Sequence, residues 1–168
     1  MQMEVLTYEA DGLLMQSHLY FEDGPSPRPG ILVFPEALGL SQHAKTQAQR
    51  LAALGYIALA CDLHGEGKVF EDLKSAAPLL EGLRKEPAHT RARAKGGLDA
   101  LVARPEVDPS RVAAIGLIGG WNSTEVWCTV SQNPAFDEAG RTQVSRYDAK
   151  AATRSWATMR AFLEDIFA

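Results

Sequence analysis

The chain has 168 residues, 46% of them hydrophobic and 23% charged, and carries a formal net charge of -4 at pH 7. That balance suits a single globular domain over residues 1–168 and excludes the basic stripe that nucleic acid or an anionic membrane would need. Every apolar run is broken by charge or glycine before it reaches membrane-spanning length. The expected partners are therefore small molecules or other copies of the chain, with no nucleic acid and no membrane. Two cysteines, Cys61 and Cys128, allow at most one bridge, and Met1–Gly12 lacks the basic-then-apolar pattern of a secretion signal, so a reducing cytoplasm is the expected location.

In chain order, Glu4–Tyr8 and Leu13–Phe21 predict an antiparallel hairpin. Met15, Ser17, Leu19 and Phe21 alternate with Gln16, His18 and Tyr20, and Ala10-Asp11-Gly12 supplies the turn. After the loop Gly24–Gly30, Ile31–Phe34 is apolar on both faces, as a strand buried inside a parallel sheet is. Tyr56–Cys61 and Val112–Ile118 share that character. Between the first two lies a helix with Ser41 as N-cap, Ala44, Ala48, Leu51 and Ala52 on one face, and Gly55 as the stop, which makes a βαβ unit. Glu71–Arg84, broken at Pro78, and His89–Ala103 supply further helices, and Pro105–Ser110 is a turn. Ala149–Phe167 closes the chain as a helix with Ala152, Trp156, Met159, Leu163 and Ile166 on one stripe, which implies docking onto a sheet.

The strand Val112–Ile118 runs into the turn Gly116-Leu117-Ile118-Gly119-Gly120. Glycines on either side of a nucleophile let a strand-to-helix turn bend tightly enough to lift Ser or Cys above the sheet, the G-x-S-x-G elbow. Here only Leu117 and Ile118 stand between the glycines, one residue fewer than the motif needs, and neither can attack a carbonyl. Gly116-x-x-Gly119-Gly120 as a phosphate-binding turn lacks both the GxGxxG spacing and a P-loop lysine.

Three segments together resemble the dienelactone hydrolase family of α/β-hydrolases: Phe34-Pro35-Glu36-Ala37-Leu38-Gly39-Leu40, Leu54 through Asp62-Leu63-His64-Gly65-Glu66-Gly67, and Asp108-Pro109-Ser110-Arg111 through Gly116. Asn133-Pro134-Ala135 through Ser155-Trp156-Ala157-Thr158-Met159-Arg160 resembles the end of that family's chain. Residues 1–116 and 133–168 are thus family-like, and 117–132 read as a seam left by an internal loss, whether by deletion or by a frame slip. The resemblance implies a three-layer α/β fold with a mostly parallel sheet, an antiparallel N-terminal hairpin, and a truncation after the elbow strand. It implies hydrolysis of a small-molecule ester or lactone through a cysteine acyl-enzyme, without cofactor or metal. Glu36 then matches the carboxylate that contacts the nucleophilic thiol, and the Ala37 N–H matches an oxyanion-hole donor. Arg91 and Arg93 fall where an arginine meets a substrate carboxylate, and His64 lies on a pocket-shaping loop. Because the elbow Gly116, Leu117, Ile118, Gly119 holds no nucleophile and the triad acid and histidine fall in the missing part, catalysis is expected to be absent or impaired.

The remaining polar residues offer weaker candidates. Ser123 and Cys128 follow the elbow, but no motif places a base beside either. Cys61 reads as a packed residue at a strand end. His18, His43 and His89 read as solvent-facing or capping. Asp62, His64 and Glu66 alternate along one loop without the spacing of known metal sites. The competing functional class is a non-catalytic small-molecule-binding or oligomerising α/β domain, with self-association through the outer edge of the Val112–Ile118 strand.

Overall fold

The computed structural model describes residues 1–116 and, as backbone from 149 and with side chains from 153, the C-terminal segment to 168. The chain divides into two compact units, Met1–Gly116 and Leu117–Ala168. The first holds five strands, β1 (Gln2–Ala10), β2 (Leu13–Phe21), β3 (Arg28–Phe34), β4 (Ile57–Ala60) and β5 (Val107–Gly116), and three helices, α1 (Gln42–Ala52), α2 (Leu73–Lys85) and α3 (Pro87–Val102). The strands form one sheet in the order β1-β2-β4-β3-β5. β1 pairs antiparallel with β2 and β2 antiparallel with β4, whereas β4 and β5 both run parallel to β3. Two of the four ladders among the described residues are antiparallel, so this part of the sheet is mixed: a parallel centre flanked by the hairpin.

The hairpin turns as the sequence dictates. Asp11 and Gly12 adopt φ of 56° and 69°, the left-handed pair that a tight two-residue turn requires. β2, β3 and β4 carry the core: Met15, Leu19, Ile31, Val33, Ile57 and Leu59 have no exposed surface, and burial of each such side chain is worth about 1.5–3 kcal/mol. α1 connects β3 to β4, and α2 and α3 connect β4 to β5; the right-handed rule for parallel crossovers puts the first connection on one side and the second on the other. The two connections therefore cover opposite faces. α3 lies over the face bearing Leu32 and Cys61, which it approaches through Gly96 and Gly97. A Cβ on Gly97 would sit 3.2 Å from the Tyr8 hydroxyl and 3.5 Å from the Cys61 sulfur. Beneath it, the Tyr8 hydroxyl and the Ser17 Oγ are hydrogen-bonded at 2.7 Å, and Ser17 accepts the Asp62 N–H at 2.9 Å. Burial pushes the Tyr8 phenol well above its usual range.

Several boundaries differ from the sequence expectation. β1 spans Gln2–Ala10 rather than Glu4–Tyr8, because every residue of it pairs with β2. β3 begins at Arg28, inside the expected loop, since Arg28 and Pro29 pair with Val107 and Asp108. The same pairing draws Val107–Ser110 of the expected turn Pro105–Ser110 into β5. Asp108 accepts the Ser110 N–H at 3.0 Å and its hydroxyl at 2.6 Å, and the ladder resumes at Gly30–Val112 with Pro109, Ser110 and Arg111 bulged out. β5 is not buried on both faces: Val112, Ala113 and Ile115 are half-buried and Ala114 is exposed, because β5 is the terminal strand among the described residues.

α2 runs through Pro78 unbroken, with Asp72 capping it by accepting the Ser75 N–H at 2.7 Å. The carbonyl that Pro78 leaves without a donor belongs to Lys74, an exposed residue that water can reach. α3 starts at Pro87, where a missing N–H costs nothing. Ser41 precedes α1 as expected but makes no side-chain cap. In the second unit α4 spans Ala149–Ile166. Its buried stripe follows Trp156, Met159, Leu163 and Phe167 rather than Ile166, which is 44% exposed. At about 3.6 residues per turn, Phe167 lies nearer in angle to Leu163 than Ile166 does. Ala152 lies outside the described side chains.

Candidate functional site

In an open α/β sheet, ligands bind beyond the carboxyl ends of the strands, in the crevice between neighbours whose connections leave to opposite faces. Among the described residues, the parallel neighbours β3 and β5 end side by side. Their register ends with Phe34 opposite Gly116, so the loop that begins at Pro35 leaves the sheet beside the strand end from which the elbow departs. Glu36 is the second residue of that loop and is 6% exposed. Its Oε1 accepts the Ser41 hydroxyl at 3.0 Å, and Ser41 makes no side-chain cap on α1. The loop closes on itself through Gly39 N–H to the Glu36 carbonyl at 3.1 Å. Ala37 is half-buried, and its N–H donates to no acceptor among the described residues.

The loop after β4 packs against it. Gly39 bridges to Val69, and the Phe70 N–H donates to the Leu38 carbonyl at 3.0 Å. His64, 4% exposed, fills the space between, its ring 5.4 Å from that of Phe70. A Cβ on Gly39 would lie 2.5 Å from the His64 Nδ1 and closer still to the Lys68 carbonyl, and Gly39 has φ 84°; only glycine fits. The His64 Nδ1 has no hydrogen-bond partner among the described residues. Burial lowers the His64 pKa, with Arg93 acting in the same direction and Asp62 against it, so the ring is neutral at pH 7.

The residue that organises this loop is Asp62, read from the sequence only as a member of a non-metal alternation. It is completely buried, and its carboxylate accepts four backbone N–H groups: His64 at 2.9 Å, Gly65 at 2.8 Å, Gly67 at 2.7 Å and Gln16 at 3.1 Å. Gly65, Glu66 and Gly67 all have positive φ, which curls the loop round the carboxylate, while the Glu66 N–H donates to the Leu14 carbonyl at 2.7 Å. The sequence signal was an Asp at a strand's carboxyl end followed by paired glycines.

Arg93 is committed inside the fold. Its Nε donates to Asp11 at 2.8 Å and its Nη1 to the Leu63 carbonyl at 2.9 Å, with its side chain 8% exposed, so it ties the hairpin turn to the β4 loop. Asp11 also binds the His89 Nδ1 at 2.7 Å, and the hydrogen bonds from His89 and then Arg93 hold its carboxyl below the usual range. Arg91 is exposed on α3. His43 is not simply solvent-facing: it is half-buried, its Nε2 is shielded, and burial with Arg50 nearby lowers its pKa to about 4. His18 is also part-buried, 3.4 Å from the Tyr20 hydroxyl, with its pKa lowered by burial and by Lys45. Cys61 is buried, and burial pushes its thiol well up. The elbow residues Leu117, Ile118, Gly119 and Gly120, the seam 117–132, Ser123 and Cys128 lie outside the described residues. Among the described residues, no helix is long and apolar enough to cross a membrane.

A family model described as the dienelactone hydrolase family matches residues 15–137, which include Glu36, the Asp62 loop and β5. The chain belongs to the dienelactone hydrolase family. A curated relative assigned as a carboxymethylenebutenolidase, from Methylorubrum extorquens, is 32% identical over 114 residues, 65% of this chain. That match spans 38% of the relative's own length. The solved dienelactone hydrolase-like structure m3DLH is 27% identical with a TM-score of 0.86, and covers 99% of each chain. A dienelactone hydrolase-like promiscuous phosphotriesterase from metagenomic libraries is 29% identical with a TM-score of 0.82, again over 99% of each. A protein assigned as a dienelactone hydrolase from Klebsiella pneumoniae shares the fold at 21% identity and a TM-score of 0.58, over 80% of this chain and 56% of its own. The α/β-hydrolase-like architecture follows from these likenesses.

Proposed function

We propose that the chain is a cytoplasmic carboxylic ester or lactone hydrolase of the dienelactone hydrolase type whose turnover is absent or severely reduced. The observation that carries this reading is the ending of the β3–β5 register at Phe34 and Gly116, which sets the buried Glu36 beside the strand that leads into Leu117 and Ile118. The chemistry such a crevice serves is attack of a thiolate on an ester carbonyl, with the tetrahedral oxyanion met by a fixed N–H donor such as that of Ala37 and the alcohol then expelled. Glu36 is the group suited to holding the thiol's proton. Leu117 and Ile118 offer neither sulfur nor hydroxyl for that attack. Binding of a small ester or lactone without turnover is the expected residual behaviour.

The test is hydrolysis of 4-nitrophenyl acetate by the purified chain, alone and as Glu36→Gln. The expected result is release at the buffer rate for both. Turnover by the parent that Glu36→Gln abolishes overturns the reading. Calorimetric titration with a slowly hydrolysed lactone reads the retained binding. Resequencing the coding DNA across codons 115–133 separates an encoded deletion from a frame slip, since a restored frame returns a cysteine to the elbow. Self-association through the outer edge of β5 belongs to the same proposal, and a monomer by light scattering at high concentration counts against it.

A further inference from the structure

We propose that the Asp62–Gly67 loop is an anion-binding nest for a monocarboxylate, occupied in this chain by the Asp62 side chain, and that through His64 it positions the Pro35–Leu40 loop. Successive backbone N–H groups turned to one point by left-handed residues make a cavity for a small anion. Here three such groups, from His64, Gly65 and Gly67, meet a fourth from Gln16 on β2, and all four end on one carboxylate within 3.1 Å. Glu66 takes φ 58° with no glycine to ease it, so the loop accepts backbone strain to keep this convergence. The nest is dry, because Asp62 has no exposed surface.

The line of action runs through packing. Two of the four bonds flank the His64 backbone, which fixes where the imidazole stands. The imidazole in turn occupies the space that Gly39 leaves by having no Cβ. Gly39 is tied to Glu36 through its N–H, so displacement of the ring displaces the segment carrying Glu36 and Ala37. Asp62 is thus a positioning residue. This inference rests on the geometry alone and stands whether or not the chain turns over an ester.

The test is anion rescue of the full-length chain. Asp62→Ala removes the carboxylate and keeps Cβ, leaving room for formate but not for acetate. The expected outcome is a fall of about 10 °C in Tm, by the usual conversion for a domain of this size. Formate should recover most of it saturably; acetate should recover less, and chloride at equal ionic strength nothing. The parent should gain nothing from formate beyond the chloride control. Formate acting no better than chloride overturns the nest. If the alanine variant does not fold alone, formate-dependent folding supports the nest and failure to fold with formate counts against it. Asp62→Asn, which keeps the shape but turns an amide donor toward N–H groups, tests the coupling by NMR. The amide resonances of Gly65, Gly67 and Gly39 should all shift. A Gly39 resonance unchanged while those of Gly65 and Gly67 move overturns the link to the Pro35–Leu40 loop.

Discussion

Three helical glycines differ sharply in what an added methyl would meet, and that difference sets a measurable order of stabilities. Gly82 sits inside α2, and nothing lies within 4 Å of where its Cβ would be. Replacing it with alanine removes the conformational freedom of glycine in the unfolded chain and should stabilise by about 0.5–1 kcal/mol. Gly96 has the same helical backbone in α3, but its Cβ would sit 2.5 Å from the Ala10 Cβ and 3.2 Å from the Tyr8 ring. Ala10 belongs to the backbone of β1 and cannot swing aside, so α3 must lift from the hairpin. Overpacking of this kind costs about 1–3 kcal/mol, which outweighs the helix gain. Gly97, at 3.2 Å from the Tyr8 hydroxyl and 3.5 Å from the Cys61 sulfur, falls between and should be close to neutral. Urea unfolding of Gly82→Ala, Gly97→Ala and Gly96→Ala, compared at constant m-value, should give that order of midpoints. Gly96→Ala matching Gly82→Ala would refute the close approach of α3 to β1.

Other expectations concern the buried polar groups. His43, with a pKa near 6.5 when unfolded and about 4 in the fold, contributes no penalty above pH 6.5 and a growing one as pH falls from 6.5 toward 4. The loss reaches at most about 3 kcal/mol, and His43→Gln should flatten stability over that window in pH-dependent denaturation. Arg93→Met should destabilise by about 2 kcal/mol through loss of the charged bonds to Asp11 and the Leu63 carbonyl. That variant should also raise hydrogen exchange in the Leu63–Gly67 loop, and a parent-like exchange pattern would argue that the arginine does not hold it. With Cys128→Ser as background, the buried Cys61 should react with a thiol reagent at least ~100-fold more slowly native than in denaturant, and equal rates would show that the thiol is accessible.

The sheet was legible where side chains alternate or run apolar without break. Asp11-Gly12 announced the hairpin because few residue pairs tolerate its backbone, and Ile31–Val33 and Ile57–Ala60 read as buried because both of their faces are covered. β5 misread for the opposite reason: its composition matches a central strand, while its place at the end of the described sheet leaves Ala114 exposed. Glu36 was legible only as a resemblance, and its partner Ser41 was taken for a cap because both roles demand the same hydroxyl beside a helix start. The partners of Arg93 and Asp62 were not legible because they are remote. Asp11 lies 82 positions from Arg93, and Gln16 lies 46 from Asp62. No local pattern reports a carboxylate shared between a hairpin and a loop so far along the chain. Gly96 and Gly97, similarly, look like weak points in a helix until β1 is set beneath them.

The bulge at Pro109–Arg111 gives β5 slack ahead of its second half. Residues inserted or removed there lengthen or shorten an arch outside the ladder, and the side-chain alternation from Val112 onward keeps its phase against β3. Length variation anywhere from Val112 to Gly116 has no such refuge: a single added residue turns every following side chain to the other surface and carries the departing chain away from Glu36. Engineered insertions that restore a reactive side chain at this end of the sheet therefore belong after Gly116, and those meant to go unnoticed belong in the arch.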